Sequence, residues 1–295
     1  MPILGIIASS LRRIAAGVNW TQRTLPVSTS WQSVTFGAST FVTVAENSSI
    51  AATSADGITW TQRTLPTSTN WFSVTFGDST FVAVAYITSI AATSADGITW
   101  TQRTLPVSAN WRSVTFGAST FVAVASDDVF AATSADGITW TQRTLPVSAD
   151  WRSVTFGAST FVAVSNGSSI AATSANGITW TQRTLPTSTN WFSVTFGAST
   201  FVTVAENSSI AATSANGITW TQRTLPVSAT WQSVTFGDST FVAVAENSSI
   251  AATSADGITW TQRTLPVSTR WRSVTFGDST FVAVALNSTI AATSP

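Results

Sequence analysis

The stretch Ser54-Ala55-Asp56-Gly57-Ile58-Thr59-Trp60 returns, with Asp or Asn at its third place, at Ser94–Trp100, Ser134–Trp140, Ser174–Trp180, Ser214–Trp220 and Ser254–Trp260. Its last residue sets a period: Trp20, Trp60, Trp100, Trp140, Trp180, Trp220 and Trp260 stand 40 residues apart. A second column, Trp31, Trp71, Trp111, Trp151, Trp191, Trp231 and Trp271, keeps the same step, and the two columns hold all 14 Trp of the chain. Seven units of 40 leave only 15 of the 295 residues. A period of this length decides the architecture before any local signal is weighed.

Working outward from the quoted turn, each unit reads as four short strands. Trp31–Phe36 is rich in β-branched and aromatic residues and ends at Gly37. Thr40–Val44 follows, then a polar hairpin at Glu46-Asn47-Ser48, then Ser49–Thr53. The Asp56-Gly57 turn leads into Ile58–Leu65, which Pro66 is expected to stop. No apolar stripe of 3.6-residue period reaches helical length. Four strands in 40 residues, repeated radially, match a β-propeller blade.

The expectation is therefore an all-β, seven-bladed propeller with four-stranded antiparallel blades. Residues 1–16 form a leader and residues 17–295 a single domain. The ends complement one another. Asn19–Leu25 is a fourth strand with no first strand before it, and Trp271–Phe276, Phe281–Val284 and Thr289–Thr293 are three strands with no fourth after them. One blade shared by both ends would close the ring. Arg12-Arg13-Ile14-Ala15-Ala16 echoes a third strand and is a competitor for the place of Thr289–Ala292.

The Ser-x-Asp-Gly-x-Thr-Trp turn resembles the Asp-box of sialidase-like propellers, one residue shorter than the common form. The wider pattern, with Trp-x-Ser-Val and Phe-Val-Ala-Val, is similar to repeat propellers of bacteria and their phages. The opening Met1–Ser10 resembles those of phage tail-associated proteins. The resemblance spans about 280 of the 295 residues and implies fold far more than activity. It also implies a virion or extracellular setting.

Composition excludes several chemistries. With no Cys and no His there is no thiol nucleophile, His-based triad, disulfide or Cys/His metal site. A net charge of zero with 9% charged residues does not suit a nucleic-acid backbone. The apolar opening is far shorter than a membrane span. No cofactor, nucleic acid or membrane span is expected, and the chain reads as a monomer. The turn residues Asp56, Asp96, Asp136, Asn176, Asn216 and Asp256 read as structural. Asn keeps the acceptor oxygen of an Asx turn but loses charge and acid/base capacity. Sialidase-like enzymes hold a carboxylate with three Arg and attack with a Tyr. Here Arg23 and its six equivalents occupy identical outer-strand places and Tyr86 stands alone, so no enzyme is expected.

Between Thr21 and Ser294 the units differ from one another in 13 of 40 columns. Four are the equivalents of Val27, Thr29, Ser30 and Gln32, six those of Ala45 through Ile50, and three those of Ala38, Thr43 and Asp56. Strand alternation puts the first ten on one face of a propeller. There the Gln32 column reads Gln32, Phe72, Arg112, Arg152, Phe192, Gln232, Arg272, and the Ser30 column Ser30, Asn70, Asn110, Asp150, Asn190, Thr230, Arg270. Hairpin tips add Tyr86, Asp127 and Asp128. Aromatic and Arg side chains favour binding hot spots, so this face is the candidate site for a surface carbohydrate or protein. The 14 Trp read mainly as packing between units, with the Trp31 column, beside the variable rim, the better candidate for partial exposure.

Overall fold

The computed structural model describes residues 16–295, so most of the leader, including Met1–Ser10 and Arg12–Ala15, lies outside the described residues. The chain is all-β. In the first unit β1 spans Thr21–Gly37, β2 Thr40–Glu46 and β3 Ser48–Ser54, and β4 (Thr61–Gly77) carries the chain onward. Every neighbouring pair is antiparallel. Each long strand serves two units: Thr61–Thr69 pairs with β3 as the outer strand of one, and Trp71–Gly77 is the inner strand of the next.

Two expectations are corrected by β4. The fourth strand begins at Thr61, because Ile58–Trp60 stay in the turn, and it runs on through Pro66. Pro66 is tolerated because pairing with β3 lapses between Thr64 and Thr69, where the register slips. On this exposed edge no partner awaits the missing N–H. Leu65, next to it, points inward and is buried.

The core lies between units. One cluster joins Val42 and Val44 of the first unit to Trp71, Phe81 and Trp100 of the second. The same set recurs around the chain, and the cluster holding Trp31 and Phe41 draws in Val282, Val284 and Ala291 from the last unit. Full burial of a Trp removes roughly 150–250 Å² from water, or about 4–6 kcal/mol gross at ~25 cal/mol/Å². The Trp31 column is fully buried, whereas Trp60 and its five later equivalents remain 8–9% exposed and Trp20 is only partly buried, the reverse of the expected order. Trp31 sits in the ladder opposite Ala45 beneath Leu25, whereas Trp60 closes a surface turn.

Inner strands touch their neighbours so closely that one position must be Gly. A Cβ on Gly37 would fall 2.0 Å from Phe76 Cγ, and each later equivalent meets the next unit's Phe until Gly277 meets Phe36. Ser33 Oγ accepts the Val74 N–H at 3.1 Å, and this bond likewise repeats until Ser273 Oγ accepts from Val34. Both series return to their start. At the termini, Thr21–Thr24 pair with Ile290–Thr293 of the last strand, Ser288–Ser294, so Thr289–Ala292 holds the third-strand place. The ladders themselves stay open, as one 15-stranded and one 7-stranded sheet. They part at Asn190 and Arg270, where single bonds from Glu206 N and Leu286 N continue the pairing.

Candidate functional site

The two faces differ in construction. On the constant face, Asp56 Oδ1 accepts from Ile58 N at 2.8 Å, Thr59 N at 2.9 Å and Ser54 Oγ at 3.0 Å. Trp60 Nε1 donates to Gly57 O at 3.0 Å, pinning the indole over the turn. Asn176 and Asn216 accept the same backbone pairs. Donation from Thr59 and Ile58, and from their equivalents, holds the carboxyls of Asp56, Asp96, Asp136 and Asp256 below the usual carboxylate range. A seventh copy spans the chain ends: Gly17 N donates to Ser294 Oγ at 2.9 Å and Trp20 Nε1 to Gly17 O, but Ala16 stands where the others have Asp or Asn. Open clefts of about 320–360 Å³ recur beside these turns, lined alike by Thr53-, Asp56- and Arg63-type residues.

Arg63 Nε donates to Thr53 Oγ1 at 2.9 Å, and Arg23 Nε makes the same bond to Thr293 Oγ1. The outer Arg column is thus occupied locally, unit by unit. No cluster of three or more acidic residues able to hold a metal ion occurs among the described residues.

On the other face the inner strand carries a β-bulge in every unit, because register shifts between Trp31 and Ser33 and at each equivalent pair. The unpaired residue is the variable one. A bulge re-aims the side chain of its extra residue, and here the result is convergence: all seven members of the Gln32 column line one depression of about 110 Å³. Radial equivalents on outer strands stay apart, whereas these inner-strand equivalents meet. The signal legible beforehand was the variability of the column; the bulge that aims it was missed.

The convergent side chains hold one another. Arg272 Nε donates to Gln32 Oε1 at 2.8 Å, and Arg272 Nη1 donates to Gln232 Oε1. The Arg112 guanidinium lies 4.6 Å from the Phe72 ring centre and 4.1 Å from that of Tyr86, and Nε reaches Ser126 Oγ at 3.3 Å. Phe72 and Tyr86 are 4.9 Å apart. Phe192 lies under two guanidiniums, Arg272 at 5.0 Å and Arg152 at 5.3 Å. Burial pushes Arg272 down to about 10, with Arg112 and Arg152 adding repulsion against the opposing pull of Glu246, and burial lowers Arg112 as well.

The Ser30 column makes a second set of contacts, some across units and some within one. Asn70 Oδ1 accepts from Asn47 N at 3.2 Å, Ser30 Oγ donates to Asn287 Oδ1, and Arg270 pairs with Glu246 at 2.7 Å. Asp150 takes Arg152 and Asn166, each at 2.9 Å. Asn110 pairs in register with Tyr86 and with Ser126, and Asn190 O receives Glu206 N. Asp127 sits at a hairpin tip with positive φ, and Asp128 Oδ1 accepts the next N–H, that of Val129. These residues form the rim; Asp127 and Asp128 do not enter the depression.

No protein-family model matches the chain, and no curated protein matches its sequence. Solved structures do. Virginiamycin B lyase from Staphylococcus aureus is similar with a TM-score of 0.84 at 11% identity, over 93% of this chain and 98% of that one. A YCF48 bound to D1 peptide gives 0.74 at 17% identity, over 95% and 97%. The β-propeller domain of Cps50 (Swd1) from Myceliophteria thermophila gives 0.71 at 10%, over 92% and 99%. At such identities the likeness carries the fold and nothing finer: this chain is an all-β protein of repeated four-stranded units arranged as a β-propeller.

Proposed function

We propose that the protein is a non-catalytic binding or adhesion module, virion-associated or extracellular, that takes a surface carbohydrate or protein through its variable face. Its frame is a seven-bladed ring closed where Thr21–Thr24 completes the unit of Ser288–Ser294. The cyclic Gly–Phe and Ser–Val contacts and the Asp-box-like turns support that frame. The observation that carries the reading is the convergence of seven variable equivalents, Gln, Phe and Arg among them, on one depression, while the opposite face repeats a single turn. A binding role accords with one structural neighbour, YCF48, having been solved with a peptide bound.

Other neighbours are lyases, and one of them is described as catalytically inactive when a single His is replaced by Ala. This chain contains no His at all, and no acid lines its depression. Incubation with quinupristin is therefore expected to leave that compound unchanged. The reading is tested on glycan and peptide arrays with the wild type and a Phe72→Ala/Arg112→Gln/Phe192→Ala variant. Binding by the first and not by the second is expected. Binding by neither, or equally by both, would favour a repeat ring without a ligand on this face.

A further inference from the structure

The depression is built almost wholly of hydrogen-bond donors. Only two ion pairs occur among the described residues, Arg152–Asp150 and Arg270–Glu246, so Arg272 and Arg112 bond neutral acceptors alone. Beside them lie Ser193, Ser233 and Ser273, whose Oγ atoms already accept a backbone N–H from Val234, Val274 and Val34. A hydroxyl that spends a lone pair in this way keeps its O–H free to donate. No carboxylate lines the space.

The clustered guanidiniums repel one another in a partly dry site, Asp150 pairing only Arg152 and Glu246 acting on Arg272 without an ion pair, and an anion relieves the cost that remains. Size and geometry narrow the anion. The depression is open to solvent, and its inner space of about 110 Å³ takes a small head group while the rest of a ligand lies outside it. Arg272 has committed Nε and one Nη–H to Gln32 and Gln232, and Arg112 its Nε to Ser126, so the side-on Nε–Nη fork of both is spent and a carboxylate would have only the end-on Nη–Nη edge. The serine hydroxyls add single donors from three different strands. Such a set suits a tetrahedral oxyanion.

We infer that the central depression is a tetrahedral-oxyanion site, with Arg272, Arg112 and the serine hydroxyls taking a sulfate or phosphate group at the end of the ligand. The inference rests on the binding role proposed above and adds the chemistry of the group recognised.

The test is calorimetric titration of the whole chain at constant ionic strength with sodium sulfate, sodium phosphate and, as the planar control, sodium acetate. One saturable sulfate or phosphate site per chain is expected, with Kd on the order of 1 mM, and acetate should bind at least about tenfold more weakly. The tighter of the two tetrahedral anions identifies the ester class. Arg272→Gln and Arg112→Gln should each weaken binding by roughly 10- to 100-fold, the value of a charge-assisted hydrogen bond. Both are expected to fold, since Gln32 and Gln232 occupy the same column, and an unchanged circular dichroism melt verifies it. Absence of a saturable site, equal binding by both folded variants, or acetate matching sulfate would overturn the assignment. Array binding that survives Arg272→Gln and Arg112→Gln removes this site and leaves the binding role; sulfate uptake by an array-silent protein does the reverse.

Discussion

Gly137 and Gly167 show how differently the two faces are made. Both are glycines at positive φ, +74° and +69°. Around Gly137, on the constant face, a Cβ would lie 2.6 Å from Val82 Cγ2 of the neighbouring unit; around Gly167, at a variable hairpin tip, it would meet nothing within 4 Å. The constant face is locked because its turns are wedged between units. The variable face is free to change because its tips, where they touch a neighbouring unit, do so through exposed polar groups, and its one convergent column is aimed by a bulge that accepts Gln, Phe or Arg alike.

The largest expected effect follows from that pair. Gly137→Ala should cost about 2–4 kcal/mol, combining the left-handed penalty with overpacking, whereas Gly167→Ala should cost only about 1–2 kcal/mol from the penalty alone. Equal losses in urea unfolding would break the contrast.

Next comes the turn acid. Asp136→Ala should lose about 1–2 kcal/mol, because Ile138 and Thr139 N–H lose their acceptor, while Asp136→Asn should stay within about 0.5 kcal/mol. The pH sign follows from the lowered carboxyls of Asp56, Asp96, Asp136 and Asp256. Their contribution is present above the unfolded carboxylate pKa and is lost as pH falls through the folded values. Replacing all four by Asn should therefore flatten the fall of the melting temperature with acid, and an unaltered acid profile would contradict it.

Ile87 tests the variable face from the side of strain. It is a β-branched residue at φ +59° and 63% exposed, where Asn47, Asn207, Asn247 and Asn287 hold the equivalent places. Ile87→Asn should stabilise by roughly 1 kcal/mol, and a loss of stability would show that the tip is packed. Smallest of all, Arg152→Gln should change stability by less than about 1 kcal/mol, because its one ion pair, with Asp150, is partly exposed.

Much of the frame was legible because the Trp columns recur every 40 residues and turn residues sit at fixed offsets. Pro66 misled because a stop signal assumes a partner strand on that side, and none is there. The Trp31 column misled because nearness to a variable rim along the chain says nothing about depth between two packed sheets. The site was half legible. Variation named Gln32, Phe72 and Arg112, but a bulge has no residue signature here beyond the variable position itself, so convergence had to be seen in three dimensions. The seventh turn, split between Ser294 and Gly17, was hidden because Ala16 lacks the acid that marks the other six.

The proposed division of labour makes one face scaffold and the bulged column of the other the binding site. A chain carrying Gln throughout that column (Phe72→Gln, Arg112→Gln, Arg152→Gln, Phe192→Gln and Arg272→Gln) puts it to the most direct trial, by array binding of the wild type and this variant side by side. A cooperative melt is expected to be retained, and the ligand bound by the wild type to be lost. A variant that melts alike and still binds that ligand would contradict it.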